Sequence, residues 1–139
     1  MLPNVLNVEL KQNPWELIMA QYHYGIKEYL MTDKLLRVYI AGPLRNNDPN
    51  IQAANIKEAE RVAIMYWNVR YNVFCPHLNS GGLIGLIDEK TAIRATLEEL
   101  ERSDIIVFLK GWASSDGSID EHNRAVKLKK IIVMNGGDQ

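Results

Sequence analysis

Glu121 and a run of small hydroxyl residues fall in one short stretch, residues 104–125, DIIVFLKGWASSDGSIDEHNRA. The apolar run over 105–109 reads as a buried strand. It breaks into a Gly- and Ser-rich loop, and a helix carrying Ala125, Val126 and Leu128 follows. In an open parallel sheet, ligands bind beyond the carboxyl ends of the strands. A carboxylate held there beside small loop residues has the chemistry of a nucleophile or a base. Ser114, Ser115, Gly117 and Ser118 offer hydroxyls and backbone amides that can cradle a phosphate without a lysine. The spacing alone also fits a plainer arrangement. Acidic side chains are favoured at helix starts by the macrodipole, which would account for Glu121 and make Asp116 and Asp120 turn and cap residues.

Two other strand ends carry groups suited to a ligand. In YIAGP, residues 39–43, Gly42 lets backbone approach a ligand, and the helix that follows favours anions at its start. Gly42-Pro43 is equally an ordinary turn, and Arg45 either meets a phosphate or is simply solvated. In CPHLN, residues 75–79, His77 and Asn79 are placed to hydrogen-bond a sugar or a base, or else His77 satisfies backbone groups of its own loop. Neither GxGxxG nor GxxxxGK[ST] occurs, so the dinucleotide fingerprint and the P-loop are missing and no cofactor is expected. His23, His77 and His122 are scattered and Cys75 is the single cysteine, so no metal site is expected.

The elements that must position these groups alternate. Strands are expected over 36–41, 72–75, 105–109 and 131–134, and helices over 51–69, 89–102 and 119–129. Ile56, Ala59, Ala63 and Trp67 form the expected inner face of the first of these helices. Ala92, Ile93, Leu97 and Leu100 form that of the second. The pattern predicts an α/β fold: a flavodoxin- or Rossmann-like parallel sheet of four to five strands with helices on both faces. Right-handed crossovers bring the loops 42–50, 76–88 and 110–121 to one edge of the sheet. Ahead of this domain, residues 35–139, an N-terminal extension over 1–34 is expected to hold an added amphipathic helix at 13–31. Asn13 would cap it, Pro14 would sit in its first turn, and Trp15, Ile18, Met19, Tyr22, Ile26, Tyr29 and Leu30 would share one face. That face packs on the domain's own core or mediates self-association.

Composition limits the function classes. A chain of 139 residues with 47% apolar residues suits one packed core. A net charge of −1 supplies no basic field for nucleic acid. A single cysteine excludes a disulfide framework and fits a reducing compartment. No apolar run approaches the ~20 residues of a membrane span, and the start lacks a signal-peptide pattern. A cytoplasmic protein that contacts neither membrane nor nucleic acid is expected.

Taken in order, RVYIAGP, NIKEAERVA, FCPHLN, LEELERSDIIVFL and S-x-G-S-x-x-E-x-x-x-A resemble the nucleoside 2-deoxyribosyltransferase-like superfamily over residues 37–134. The AGP and PHLN signatures are similar to those of a branch common in phages and bacteria. The resemblance implies a flavodoxin-like fold and cleavage of an N-glycosidic bond. Glu121 would attack the anomeric carbon and form a glycosyl-enzyme, resolved by water or by a second base. Tyr39 would hydrogen-bond that glutamate, and backbone at Gly42 and Pro43 would line the pocket. Six residues before the glutamate, the transferases carry an aspartate that holds the free 5′-hydroxyl. Ser115 stands there instead, as in the related deoxynucleoside 5′-monophosphate N-glycosidases. A hydroxyl and the amides of Gly117 and Ser118 would donate to a phosphate that an aspartate would repel. The implied ligand is therefore a (deoxy)nucleoside 5′-monophosphate, and the implied assembly is a homodimer or larger.

Three positions depart from the family pattern. Eight residues before Asp104 the family carries an aspartate that serves the base or the sugar, and Thr96 occupies that place. A threonine is no general acid near neutral pH; Asp88 and Asp116 are the carboxylates left to substitute. The usual Glu-Leu-Gly is Glu121-His122-Asn123, and the sequence runs five residues past Met134, where family enzymes extend into a neighbouring subunit's pocket. These departures leave two alternatives to nucleotide cleavage: a non-catalytic nucleotide-binding protein that senses or sequesters its ligand, or a nucleoside 2-deoxyribosyltransferase.

Overall fold

Runs rich in Ile and Val form the strands, because branched side chains pack well on a pleated surface buried on both sides. The computed structural model describes residues 9–10 and 35–135. Its strands are β1 (Glu9–Leu10), β2 (Arg37–Ala41), β3 (Asn72–Phe74), β4 (Ile105–Phe108) and β5 (Ile131–Met134). They form one parallel sheet in the order β1-β5-β4-β2-β3. The register pairs Tyr39 with Ile106 and Ile106 with Ile132, so the central strands end together at the carboxyl edge. Alternation then sorts the side chains. Val38, Ile40, Ile105, Val107, Ile131 and Val133 enter one core, and Tyr39, Ala41, Ile106, Phe108, Ile132 and Met134 enter the other.

Helix α1 (Pro49–Asn68) covers the first face through Ala59, Val62, Ala63 and Tyr66. Asp48 caps it by accepting from Asn50 N–H at 2.9 Å, and Pro49 opens it two residues earlier than expected. Trp67, expected inside, is 51% exposed. The buried set follows i, i+3, i+4, i+7 from Ala59, and the next position turns off the stripe, so Tyr66 takes the inner place.

The second face is covered by α3 (Glu89–Arg102) and α4 (Asp116–Lys127). Leu100 and Ala125 are their fully buried apolar contacts. Ile93 lies on the same α3 stripe as Leu100 yet is 51% exposed, and Ala92 and Leu97 are only partly covered. The start of α3 lies at the carboxyl edge of the sheet, so its first turns have little sheet beneath them. The expected long loop over 76–88 contains the short helix α2 (Pro76–Asn79) and a 3-10 turn at Gly81–Leu83. Cys75, expected as strand, is the N-cap of α2.

Helix α4 begins at Asp116, not at 119, because Ser115 caps it. Glycine at 42 is dictated by packing: a Cβ there would lie 2.7 Å from Leu109 Cβ. The Leu109 N–H donates to Ala41 O at 2.8 Å and draws the two strand ends together. The helix expected at 13–31 lies outside the described residues. Glu9–Leu10, within the segment read as an extension, pair with Ile132 and Val133 and give the sheet its fifth strand. Among the described residues, no helix is long and apolar enough to cross a membrane.

Candidate functional site

Tyr39 sits mid-strand in β2, fully buried, with its ring stacked on Phe74 at 5.8 Å between centroids. Its hydroxyl donates to the Glu121 carboxylate. Ser118, Glu121, His122 and Ala125 occupy i, i+3, i+4 and i+7 on α4. Burial of Ser118 and Ala125 fixes that face against the sheet. Thr96 comes in from α3 beside the same phenol oxygen, while its own hydroxyl donates to Ile93 O at 2.8 Å. Three separate elements thus meet around the Tyr39 hydroxyl.

Burial pushes the Glu121 carboxyl up from 4.5 to about 7; the Tyr39 hydrogen bond opposes this, and the negative charge of Asp120 adds to it. Tyr39 is itself held well above the usual phenol range, chiefly by burial and then by the Glu121 charge. The phenol therefore keeps its proton and remains the donor. A carboxyl poised near neutrality, with one lone pair anchored and the other oxygen unconstrained, is equipped for nucleophilic or proton-transfer chemistry.

The first turn of α4 adds a polar cradle. Ser115 Oγ accepts from Ser118 N–H at 3.4 Å, which leaves the Ser115 hydroxyl hydrogen free to donate elsewhere. A Cβ at Gly117 would meet nothing within 4 Å, so the backbone there lies open. Ser118 is 1% exposed, and its hydroxyl has no partner among the described residues. Asp116 is exposed in the same turn.

An aromatic cluster flanks this turn and was not anticipated from the sequence. His122 stacks on Trp112 with centroids 4.5 Å apart and planes 19° apart, and both rings pack on Phe108. The indole N–H of Trp112 is buried without a partner among the described residues. The departure at Glu121-His122-Asn123 marked the position, but nothing in local periodicity ties residue 122 to residue 112.

The remaining candidates serve the loops. His77 is 3% exposed; its Nε2 lies 2.9 Å from Pro43 O and its Nδ1 lies 3.9 Å from Cys75 Sγ. A carbonyl can only accept, so Nε2 carries the proton, and burial depresses the ring's pKa and keeps it neutral. His77 thereby ties the Gly42-Pro43 loop to α2. Asn79 is exposed, with its backbone N–H on Cys75 O. Asp88 is the α3 cap, accepting from Thr91 N–H at 2.9 Å and from its hydroxyl at 2.7 Å. Arg45 pairs with Glu89 at 3.0 Å. The structure thus brings together Tyr39, Thr96, Glu121 and the first turn of α4, while the bonds seen for His77 and Asp88 are to Pro43 O and to the start of α3. Among the described residues, no group of three His, Cys, Asp or Glu side chains could hold a metal ion.

Residues 36–134 match a family described as a domain of unknown function, DUF4406. The chain belongs to that family. The DUF4406 segment contains Tyr39, Thr96, Glu121 and the α4 cradle, and leaves β1 outside it. No curated protein matches the chain. Among solved structures it is similar to a 2-deoxyribosyltransferase from the psychrotolerant bacterium Bacillus psychrosaccharolyticus, described as a biocatalyst for the synthesis of antiviral and antitumoral nucleosides. The TM-score is 0.54 at 21% identity, and the match covers 74% of this chain and 76% of that one. The two proteins share a fold, as the superfamily resemblance implied.

Proposed function

We propose that this DUF4406 protein is an N-glycosidase-like enzyme that cleaves the sugar–base bond of a (deoxy)nucleoside 5′-monophosphate. Glu121 is the nucleophile, Tyr39 orients it, and the first turn of α4 holds the phosphate. The observation that carries the reading is the buried Tyr39–Glu121 pair, a carboxyl raised to about 7 in front of a helix start with open amides. The fold shared with a 2-deoxyribosyltransferase supports it. In the first half-reaction a Glu121 oxygen bonds to the anomeric carbon as the base departs with the bonding electrons. In the second, water or another base displaces the carboxylate. Helix-start amides and the Ser115 hydroxyl are donors suited to a phosphate.

The test is release of free base from a panel of nucleotides, read by chromatography. Wild type releases base and Glu121→Ala does not; activity that survives in Glu121→Ala removes the assignment. Thr96 beside the phenol, where a carboxyl would supply an acid, favours a second reading, a protein that binds nucleotide without turnover. Calorimetric binding of nucleotide with no base released by wild type would establish it. The apolar residues exposed at the end of the sheet that holds the site, Leu78, Leu83, Leu86, Ile87 and Ile93, fit a homodimer or larger assembly. A monomer mass by light scattering would remove that part.

Ser115 separates capping from ligand binding. Ser115→Asp keeps an N-cap acceptor, so the melting temperature stays within a few degrees of wild type. It also sets a negative charge against the phosphate. KM for monophosphates should rise about tenfold or more, while free nucleosides are spared. Equal effects on both substrates would place the phosphate elsewhere.

A further inference from the structure

Departure of an ordinary nucleobase leaves negative charge on nitrogen, and catalysts of that reaction supply a proton as the bond breaks. Among the described residues, the groups around Glu121 are poorly placed to do so. Tyr39 is fully buried, and its proton is committed to Glu121 itself. Thr96 offers only a hydroxyl, already donated to Ile93 O. Asp88 is spent capping α3 at the surface, and His77 is locked to Pro43 O in its neutral form. Asp116 and Asp120 are exposed on α4. His122 is stacked on Trp112 and meets Phe108 in a T-shaped contact. The charged neighbour that bears on Glu121 is Asp120, a second negative group.

We propose that the site takes a nucleotide whose base is already cationic at the ring, a pyridinium or an N7-alkylated purine, which leaves as a neutral molecule without receiving a proton. The inference rests on the glycosidase reading of Glu121 given above and names its substrate class. A Glu121 oxygen forms a bond to the anomeric carbon while the carbon–nitrogen bond breaks. The bonding pair goes to the ring nitrogen and cancels its positive charge. Water then bonds to the same carbon, the carboxylate leaves, and the proton of the water passes to solvent. No acid is needed at either step. The negative charges of Glu121 and Asp120 attract the cationic ring in the bound state, and that charge is gone once the base is free, which favours product release.

The experiment compares nicotinamide mononucleotide and 7-methylguanosine 5′-monophosphate with GMP, dGMP, CMP and dCMP. Rates with Glu121→Gln are subtracted so that spontaneous loss is removed. The cationic nucleotides should be cleaved about 100-fold faster or more, the low end of what general-acid assistance provides to an enzyme that has it. The pH profile with nicotinamide mononucleotide, whose ring charge does not titrate, should rise through one ionisation to a plateau. Cleavage of one cationic substrate and not the other identifies the ring the pocket accepts. Faster Glu121-dependent cleavage of the uncharged nucleotides, or a bell-shaped profile that His122→Gln reduces to one limb, overturns the inference and leaves the glycosidase reading standing. Release of base from none of the six removes both.

Discussion

Glu121→Gln should abolish base release and, above pH 7, make the folded protein more stable. The two effects have one cause. Burial among Tyr39, Thr96 and the underside of α4 raises the carboxyl from 4.5 to about 7. The folded state therefore binds a proton more tightly than the unfolded chain between those two values. The favourable contribution is complete below pH 4.5 and is lost as pH rises through 7. Above 7 the fold carries a half-buried charge whose upper cost is about 3 kcal/mol, at ~1.4 kcal/mol for each pH unit separating the two pKa values. Glutamine keeps an acceptor for the Tyr39 hydroxyl and removes the charge. At pH 8.5 its urea midpoint should lie above that of wild type, by roughly 1–3 kcal/mol once relaxation of the site is allowed for. At pH 4.5 the two should coincide. A variant less stable than wild type at both pH values would show that the carboxyl is a structural partner and not a strained functional group.

Much of the frame was legible because it rests on local rules. Ile105, Val107, Ile131 and Val133 announce strands buried on both faces, and Gly42 and Gly111 punctuate the strand ends where loops must turn. Gly111 does so with φ +87°. The parallel order follows from strand–helix alternation and right-handed crossovers. Less legible was where each helix begins. Ser115 and Asp48 are both caps, and a cap reads in sequence much like any loop serine or aspartate until its acceptor is seen to meet an N–H two or three residues on. The inward faces misled where periodicity met geometry. Ile93 lies on a correct stripe with little sheet beneath it, and Trp67 stands one position past the turn that Tyr66 completes. Strand β1 was missed because two residues carry no period at all.

The site divides along the same line. Glu121 and Tyr39, paired by resemblance, are 82 positions apart in sequence and hydrogen-bonded in the fold. Periodicity supports that outcome in retrospect: Tyr39 alternates into the second core, and Glu121 shares a helical face with buried Ser118 and Ala125. The Trp112–His122 stack had no such warning, since an aromatic in a 3-10 turn and a histidine on a helix meet only after α4 folds back over β4. His77 shows the converse. Its position after a strand end pointed to a ligand and gave no sign that its two ring nitrogens face Pro43 O and Cys75 Sγ and hold the Gly42-Pro43 loop.

Tyr39→Phe isolates the phenol from the ring. Phenylalanine fills the same buried volume and keeps the stack on Phe74, so the strand and its register survive. What disappears is the one hydrogen bond that pulls the Glu121 pKa down against burial and Asp120. A hydrogen bond to a charged group contributes about 1.5–3 kcal/mol, which corresponds to a carboxyl pKa about one to two pH units higher. The nucleophile must be ionised to attack, so the acidic limb of the activity profile should move from near 7 to between about 8 and 9. At pH 7 the rate should fall about 5- to 50-fold, and much of that loss should return by pH 9.5. Stability should change in the opposite sense. The variant loses little below pH 5, where the carboxyl is neutral, and more above pH 9, where an ionised Glu121 lies buried without its donor. A phenol that only packs would depress the rate by the same factor at every pH, and a profile parallel to that of wild type would exclude Tyr39 from setting the charge state of Glu121.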